Sequence, residues 1–430
     1  MDNLQSLKRQ VEQCLLTHQP NPQETISMYQ FHVDFYGHLL SWLKAQSTYP
    51  QFYFNLRDSA EKLCAIGKVR SFSEVFSANQ FVQQSGFTLI GGLTFDGASC
   101  FYLPRLLFQQ QQNRLTLSVF IDNQVAFSEE KAAIAPLLDN LARYMAFDDI
   151  HSNRLQLIDQ AHNQAAWCNM VQSALQALQH TELNKVVLAN ASDFQCIPAL
   201  NAKDFLRESE LVNTHCYHFL FAQDAERCFV GSSPECLYQR QDNHLITEAL
   251  AGTAFVHHDT QQNQQQADWL LHDSKNQYEN WLVVEGICQN LKHYAQNIDV
   301  SPLSIKQLRQ VQHLYRQIFV ELAPHIGDDR CLQAIHPTAA ISGLPQQIAI
   351  DFIQKTEKFD RTWYAGTLGF ISPQRAEFCV TIRSAIIEHN KIRVFAGAGI
   401  VEGSDPLLEW QEIERKAMGL ISLLQSTTTQ

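Results

Sequence analysis

The sequence lacks segments that would cross or enter a membrane. None of its apolar runs reaches the length that spans a bilayer, and its start, from Met1 to Leu4, has no hydrophobic signal core. The 11 cysteines are odd in number and include no Cys-x-x-Cys pair, so neither a disulfide framework nor a zinc knuckle is indicated. We therefore expect a reduced, cytoplasmic protein with no membrane partner.

Positive charge is also scarce in this chain. There are 32 lysines and arginines against 44 aspartates and glutamates, which gives a formal net charge of -12. This balance argues against sequence-independent binding to nucleic acid or to anionic lipid. We expect no nucleic-acid partner, and the sequence leaves the oligomeric state open.

What the chain does have is enough apolar content for a large core. It has 430 residues, of which 45% are hydrophobic, and no internal repeat or long linker divides it. We expect residues 1–150 to be an N-terminal region that contributes strands to the same fold, and residues 151–430 to be the catalytic region. Within the first region, residues 115–121 alternate and continue across a polar turn into residues 125–127, which predicts a hairpin.

After residue 160 the sequence patterns that predict helices and strands are clearer. Residues 165–178 place apolar side chains on one helical stripe, and residues 267–296 predict one long helix. Residues 364–370, 377–387 and 391–400 are three closely spaced strand candidates. Strands separated by only a few residues pair antiparallel, so the fold class is α/β of the α+β kind, without a doubly wound parallel sheet.

Lys185 and Glu235 are candidates for acid–base chemistry. Lys185 shares a strand face with Val187 and Ala189, and burial there would favour the neutral amine that can act as a base. Glu235 follows a tight Gly231-Ser-Ser-Pro turn, where a desolvated carboxyl keeps its proton and can serve as a general acid. On the residues alone, a solvated lysine and a solvated turn glutamate are the commoner alternatives.

Glu279 and Glu412 are candidates for a metal site. They lie on two separate predicted helices, and two carboxylates suit Mg²⁺, which keeps waters and takes substrate oxygens. The simpler alternative is a pair of surface salt bridges, since Lys275 and Lys416 each lie four residues away from one of them.

Arg383 interrupts an otherwise apolar strand candidate, on the same face as Thr381. A guanidinium in such a place binds a carboxylate or a phosphate, although a structural ion pair is an equal alternative. His336 and Tyr364 are either ligand contacts or core residues with satisfied polar groups.

Gly397 and Gly399 break a β-rich run near the end of the sequence, and they let backbone approach a ligand closely. Ser404 as the cap and Pro406 just after it predict the start of a helix. A dinucleotide-binding fingerprint is excluded, because Glu402 occupies the place of its third glycine and too few residues follow for a βαβ unit.

These segments together resemble the chorismate-utilising enzyme family. The N-terminal part is also similar to that of the menaquinone-pathway isochorismate synthases, around Ser41-Trp42-Leu43 and Tyr49-Pro50-Gln51, so the resemblance covers nearly the whole chain. Its ordered motifs are Lys185, Gly231-Ser-Ser-Pro-Glu235, Glu248-Ala-Leu-Ala-Gly-Thr253, Lys275 to Glu279, His336-Pro-Thr338, Tyr364-Ala-Gly366, Ile382-Arg-Ser384, Ala396-Gly-Ala-Gly-Ile400 and Lys416.

The resemblance implies the conversion of chorismate to isochorismate, in which water adds at C2 and the C4 hydroxyl leaves. It implies that Lys185 activates the water, that Glu235 protonates the departing oxygen, and that Glu279 and Glu412 hold Mg²⁺. It also implies large antiparallel sheets packed face to face with outer helices. The substrate-binding residues that it implies are Leu250, Ala251, Gly252, Thr253, His336, Tyr364, Arg383, Gly397, Gly399 and Lys416.

Two positions indicate which nucleophile is expected among the members of this family. Relatives that use ammonia lack a lysine at position 185, and aminodeoxychorismate synthases carry their lysine nucleophile where Ala251 stands. Water is therefore the expected nucleophile. A salicylate synthase, a siderophore-pathway isochorismate synthase and an inactive chorismate-binding relative stay open as alternatives.

Overall fold

The computed structural model describes residues 2–21, 23–257 and 259–424, and all the strand pairings among them are antiparallel. The strands are β1 Ile26–Asp34, β2 Gln51–Asn55, β3 Glu61–Phe72, β4 Leu89–Leu93, β5 Ser99–Gln111, β6 Arg114–Asp122, β7 Arg154–Gln160, β8 Lys185–Ile197, β9 Tyr217–Ala222, β10 Arg227–Ser233, β11 Cys236–Gln241, β12 His244–Phe255, β13 Ala295–Val300, β14 Ser304–Gln307, β15 Val311–Leu322, β16 Gly343–Leu344, β17 Thr367–Ile371, β18 Arg375–Val380, β19 Ser384–Glu388 and β20 Lys391–Ile400.

Helices occur between these strands and at both ends of the described chain. They are α1 Asp2–Thr17, α2 Leu39–Lys44, α3 Val75–Ser85, α4 Phe127–Asn140, α5 Gln164–His180, α6 Ala202–Val212, α7 Thr260–His272, α8 Ser274–Leu291, α9 Asp328–Ile335, α10 Gln346–Thr356 and α11 Pro406–Ile421. Among the residues described, no helix is long and apolar enough to cross a bilayer.

The strands form two layers that are joined through β5. One layer runs in the order β7, β8, β20, β19, β10, β9, β2, β3 and β5. The first half of β5 also pairs with β4, which leads through β17, β18, β11 and β12 to β15, while its second half pairs with β6. The antiparallel prediction is confirmed, and the N-terminal strands β2 and β4 pair with β9 and β17 of the later region.

The two layers pack face to face through large buried side chains. The Tyr217 hydroxyl on β9 donates to Oε1 of Glu377 on β18 over 2.9 Å, and Phe221 meets Trp363 edge to face. Helices cover the outside; α5 and α11, for example, contact each other through Trp167 and Trp410. This arrangement confirms the predicted fold class.

Two local predictions are wrong because strand and helix ends depend on tertiary partners. Residues 125–127 do not form the second strand of a hairpin, since β6 pairs with β5 and β1 and α4 begins at Phe127. Residues 267–296 are not one helix. Asp273 ends α7 and caps α8 by accepting from the Asn276 amide, and β13 begins at Ala295.

The strand predicted over residues 377–387 is also two strands, β18 and β19. They belong to different layers, so the chain crosses between them, and Arg383 has φ +51° at the crossing. Arg383 therefore lies in the bend between the two strands, outside any strand. At the start of α11, Pro406 is the first helical residue, but Asp405 takes the capping role that was expected of Ser404 and accepts from two backbone amides.

Candidate active site

A cavity opens where strands of the two layers face α8 and α11. Its polar wall includes Glu235, Glu279, Arg383 and Glu412. The other lining residues are Val187, Leu250, Ala251, Gly252, Thr253, His313, Ala340, Ile341, Tyr364, Ala365, Ile382, Phe395, Ala396, Gly397, Gly399 and Lys416. The tertiary structure thus brings together most of the residues singled out from the sequence.

One wall is a bulge in β12. The pairing of β12 with β15 shifts between Leu250 and Thr253, and Gly252 at the bulge has φ +82°, a conformation that glycine adopts without strain. The Thr253 amide donates to Oδ1 of Asn276 over 3.2 Å, and Asn280 donates to the Ala251 carbonyl over 3.4 Å. Helix α8 therefore fixes the bulge against the cavity.

Lys185 is fully buried at the start of β8, so the solvated alternative is excluded. Only 1% of its side chain is exposed, and its Nζ lies 3.1 Å from Oε1 of Glu279. Although this contact is an ion pair, Nζ has no partner of good hydrogen-bond geometry among the described residues. The amine is thus held beside the cavity with most of its hydrogen-bonding capacity unused.

Glu235 is buried as well, in the turn between β10 and β11. Burial, reinforced by the negative charge of Glu248, raises its pKa to about 8, even though Lys185, Lys306 and Lys416 act in the opposite direction. Its carboxyl is therefore protonated at neutral pH, and it can donate a proton into the cavity. The solvated alternative is excluded here too.

Three carboxylates from α8 and α11 lie near one another. Glu279 and Glu412 line the cavity, and Glu412 pairs with Lys416 at 2.6 Å. Burial and the charges of Glu412 and Glu279 raise the pKa of the third carboxyl, Glu409, to about 7, although Lys275 lies 2.9 Å away. Lys275 therefore pairs with Glu409 and not with Glu279, in contrast to the surface pair considered from the sequence.

This concentration of buried negative charge fits a divalent cation with few protein ligands. Oxygen donors suit Mg²⁺, which typically binds one or two carboxylates and retains waters and substrate oxygens. The described residues contain no group of three or more His, Cys, Asp or Glu side chains that could hold a metal ion. An ion here would depend on Glu279 and Glu412, which both line the cavity, together with water and substrate oxygens.

The glycines on β20 make room for functional side chains of other elements. A Cβ on Gly397 would lie 2.9 Å from the Tyr364 hydroxyl, and a Cβ on Gly399 would lie 2.2 Å from Oε1 of Glu279. Real Cβ atoms do not approach that closely, so glycine is required at Gly399 for Glu279 to occupy its place. The close approach predicted for these glycines is therefore one to side chains of the protein itself.

Arg383 and Lys416 supply positive charge to the cavity. Arg383 has no hydrogen-bond or ion-pair partner for its guanidinium within the described part of the chain, so the structural ion pair considered from the sequence is not found there. Lys416 donates to the Gly397 carbonyl over 2.9 Å while it pairs with Glu412. An unpaired, half-buried guanidinium can bind a carboxylate with two parallel hydrogen bonds.

The residues of this site differ in part from those predicted from the sequence. His336 does not line the cavity; its Nε2 lies 2.9 Å from the Thr94 carbonyl, and burial lowers its pKa to about 4. His313, which contacts the Thr253 hydroxyl through Nδ1 at 3.1 Å, and Phe395 both line it unpredicted. Glu409 was not among the predicted metal ligands, although its spacing from Glu412 by three residues places both on one helix face.

Comparison with known proteins places these residues in a family. A sequence model described as chorismate binding enzyme matches residues 93–425. The chain is 51% identical over 429 residues to the isochorismate synthase MenF of Pasteurella multocida, and the alignment covers 99% of both chains.

Solved structures of chorismate-utilising enzymes are also similar to this chain. The chain resembles MenF, the menaquinone-specific isochorismate synthase from Escherichia coli, with a TM-score of 0.90 and 37% identity over 98% of this chain and 100% of that one. Anthranilate synthase component I from Streptococcus pneumoniae has the same fold, with a TM-score of 0.62, 17% identity and coverage of 94% and 93% of the two chains. The chain belongs to the chorismate-binding enzyme family.

Proposed function

We propose that this chain is an isochorismate synthase, an isomerase that converts chorismate to isochorismate for menaquinone synthesis. The observation that carries the proposal is the burial of an amine, Lys185, and a protonated carboxyl, Glu235, at one cavity that also holds acidic and cationic groups. The chain-long likeness to isochorismate synthases supports the choice among chorismate-binding enzymes.

The cavity offers complementary groups for a dicarboxylate. The unpaired guanidinium of Arg383 and the Tyr364 hydroxyl suit the enolpyruvyl carboxylate, with backbone amides near Gly397 beside them. Lys416, which also lines the cavity, adds a second positive charge. The apolar bulge of β12 provides a surface for the ring.

The reaction needs a base that takes a proton from water and an acid that gives a proton to the departing hydroxyl. Lys185 takes a proton from water while the water oxygen bonds to C2. The ring double bonds shift, the C4–O bond breaks, and Glu235 gives its proton to the departing hydroxyl. One water is consumed and one is released, which leaves Lys185 protonated and Glu235 ionised until the two exchange protons with solvent.

Glu279 and Glu412 would hold Mg²⁺ in this proposal. Bound there, the ion would supply Lewis acidity to polarise the ring carboxylate of the substrate. The raised pKa of Glu409 supports this choice of residues, since its cause is burial next to the carboxylates that a cation would neutralise. Oε1 of Glu279 also lies 3.1 Å from Nζ of Lys185, so the amine lies next to this region.

The test is to supply the purified protein with chorismate and Mg²⁺ and to identify the product by chromatography. We expect isochorismate, approaching an equilibrium with chorismate, and loss of activity in excess chelator. Salicylate and pyruvate formed without a second enzyme would assign a salicylate synthase instead. Chorismate bound but recovered unchanged would identify an inactive relative.

The pathway and the compartment are testable in cells. Growth of a menaquinone-deficient isochorismate synthase mutant should be restored by this chain. Restoration of siderophore production alone would favour the siderophore pathway. All 11 cysteines are free thiols, which supports our expectation of a cytoplasmic location.

Substitution of Gly399 by alanine should strongly reduce activity. The new Cβ would lie 2.2 Å from Oε1 of Glu279 and 3.1 Å from Cε of Lys185, so both groups must move. A displacement of this size costs on the order of 10²-fold in rate, and calorimetric titration should show weaker Mg²⁺ binding.

Gly286 is the matched control for this substitution. It lies on α8, the helix that carries Glu279, and a Cβ there meets only Ala339 and Leu344 side-chain carbons at 3.6 Å. Gly286→Ala should keep full activity and a slightly higher melting temperature, because alanine favours helix. Equal activity in the Gly399 and Gly286 variants would exclude the close approach as a requirement.

Turnover should fall as pH rises through about 8, because Glu235 has its pKa raised to about that value and must be protonated to donate. The measurement is kcat at saturating chorismate and Mg²⁺ over a pH series. A kcat that stays constant far above pH 8 would remove Glu235 from the acid role.

A further inference from the structure

The side-chain carboxyl of Glu235 has few hydrogen bonds to hold it in place. Its Oε1 is buried and has no hydrogen-bond partner among the described residues. The residue is held through its backbone, since its amide donates to the Ser233 hydroxyl over 3.2 Å and its carbonyl accepts from the Val380 amide over 3.1 Å. The position of the carboxyl therefore depends on the peptide units of Pro234 and Cys236.

A buried cluster holds both of these neighbouring peptide units. Arg57 and Lys306 donate to the Pro234 carbonyl over 2.5 and 3.0 Å. Oε2 of Glu248 accepts from the Cys236 amide over 3.3 Å. Each side of Glu235 is thus fixed by a charged side chain.

The members of the cluster also hold one another. Arg57 pairs with Glu248 through both terminal nitrogens of its guanidinium, Nη1 lying 2.8 Å from Oε2. Tyr315 donates to Oε1 of Glu248 over 2.8 Å, and Lys306 lies 3.5 Å from Oε2. We call Arg57, Glu248, Lys306 and Tyr315 the Arg57 cluster. Because a two-point pair fixes orientation as well as distance, this cluster is a rigid support.

Charges from four elements act on Glu235. Ionised Glu248, on β12, favours the neutral carboxyl, together with burial. Lys185 on β8, Lys306 on β14 and Lys416 on α11 favour the ionised form. Although burial opposes it, Arg57 is the main group that lowers the pKa of Glu248 and keeps it charged. Arg57 and Lys306 thus offset the one negative charge of the cluster.

We propose that Arg57, Glu248 and Lys306 are positioning residues for Glu235, which fix the peptide units on both sides of it and set the charge balance around its carboxyl. The inference rests on the proposed function, in which Glu235 is the general acid. It gives the N-terminal region a part in catalysis, since Arg57 follows β2 and reaches the turn between β10 and β11.

The decisive experiment compares the pH dependence of kcat in Glu248→Gln and Lys306→Met. Removal of the negative charge should move the high-pH decline to lower pH, and removal of the positive charge should move it to higher pH, each by about one unit. A merely structural role would lower activity in both without opposite shifts. Shifts in the same direction, or none, overturn the proposal.

Substitutions of Arg57 test whether the cluster positions the carboxyl of Glu235. Arg57→Gln should lower kcat by roughly 10-fold or more while the KM for chorismate changes little, since the reacting acid and not the substrate contacts is displaced. Arg57→Lys, which keeps the charge, should recover part of the loss. The matched control is Arg70→Gln, because Arg70 forms a similar two-point pair with Asp122 at 3.1 and 3.2 Å. It should lose stability only, and an equal loss of kcat in both arginine variants would overturn the role of Arg57.

A measurement without turnover keeps this inference separate from the proposed function. Infrared difference titration of the neutral carboxyl band, with Glu235→Gln as the blank, reports the protonation of Glu235 directly. The same opposite shifts are expected in Glu248→Gln and Lys306→Met. If wild-type protein forms no isochorismate but these shifts occur, the proposed function fails and the support of Glu235 stands. If wild type is active and the shifts are absent, only this inference fails.

Discussion

Replacement of Lys185 by methionine is expected to reduce isochorismate formation by roughly 10²–10⁴-fold, the range that general base catalysis contributes. Methionine keeps the apolar stem in a fully buried position and removes only the amine that would deprotonate the water. The fold should persist, with a cooperative thermal transition close to that of the wild type. The measurement is kcat at saturating chorismate and Mg²⁺, with circular dichroism of the same sample.

A second buried lysine provides the control. Lys44 has 2% of its side chain exposed and pairs with Asp204 and Asp148, and it does not line the cavity. Lys44→Met should lower the melting temperature, because it leaves buried Asp204 without its partner, while the folded protein keeps its turnover. Substantial activity in Lys185→Met would contradict the base assignment, whatever the control shows.

Replacement of Glu235 by glutamine should be similarly damaging to turnover. Glutamine retains the shape and the polarity of the neutral carboxyl but has no acidic proton to give to the departing hydroxyl. We expect a loss of roughly 10²–10⁴-fold in kcat, with chorismate binding preserved in a direct titration. Loss of binding without loss of kcat would reverse this assignment.

The same variant should carry a stability signature of its own. A carboxyl with its pKa raised to about 8 in the folded state, above its ordinary value of 4.5, stabilises the fold most below pH 4.5, and this contribution is lost progressively as pH rises through about 8. Glutamine does not ionise, so the variant should become more stable than the wild type above that pH. Glu130→Gln, which changes a buried carboxylate paired with Arg105 outside the cavity, should show no such gain.

The antiparallel architecture followed from local information in the sequence. Short apolar runs separated by a few residues leave room only for tight connections, and these join antiparallel strands. The strand that begins at Lys185 and the helix that begins at Pro406 were predicted for the same reason, since strand alternation and helix starts depend on neighbouring residues. The chemical types of most cavity residues could also be read from their motifs.

The ends of the helices and strands depended on tertiary contacts and not on local sequence. The break at Asp273 and the crossing at Arg383 occur where the chain changes partner layer or turns around a packed helix. No local pattern separates such a break from a continued helix or strand, because both choices satisfy the same periodicity. This explains why residues 267–296 and 377–387 were each predicted as one element.

The partners of the charged residues depended on the fold even more. From spacing alone, Lys275 pairs with Glu279, but in the folded chain Lys275 pairs with Glu409 and Glu279 with Lys185. The contacts of Arg57 with Pro234 and Glu248 join positions 177 and 191 residues apart. The sequence by itself determined which chemical groups and which strand directions are present. Only the tertiary structure decided which groups are desolvated together, because burial and charge pairing act through space between segments that are far apart along the chain.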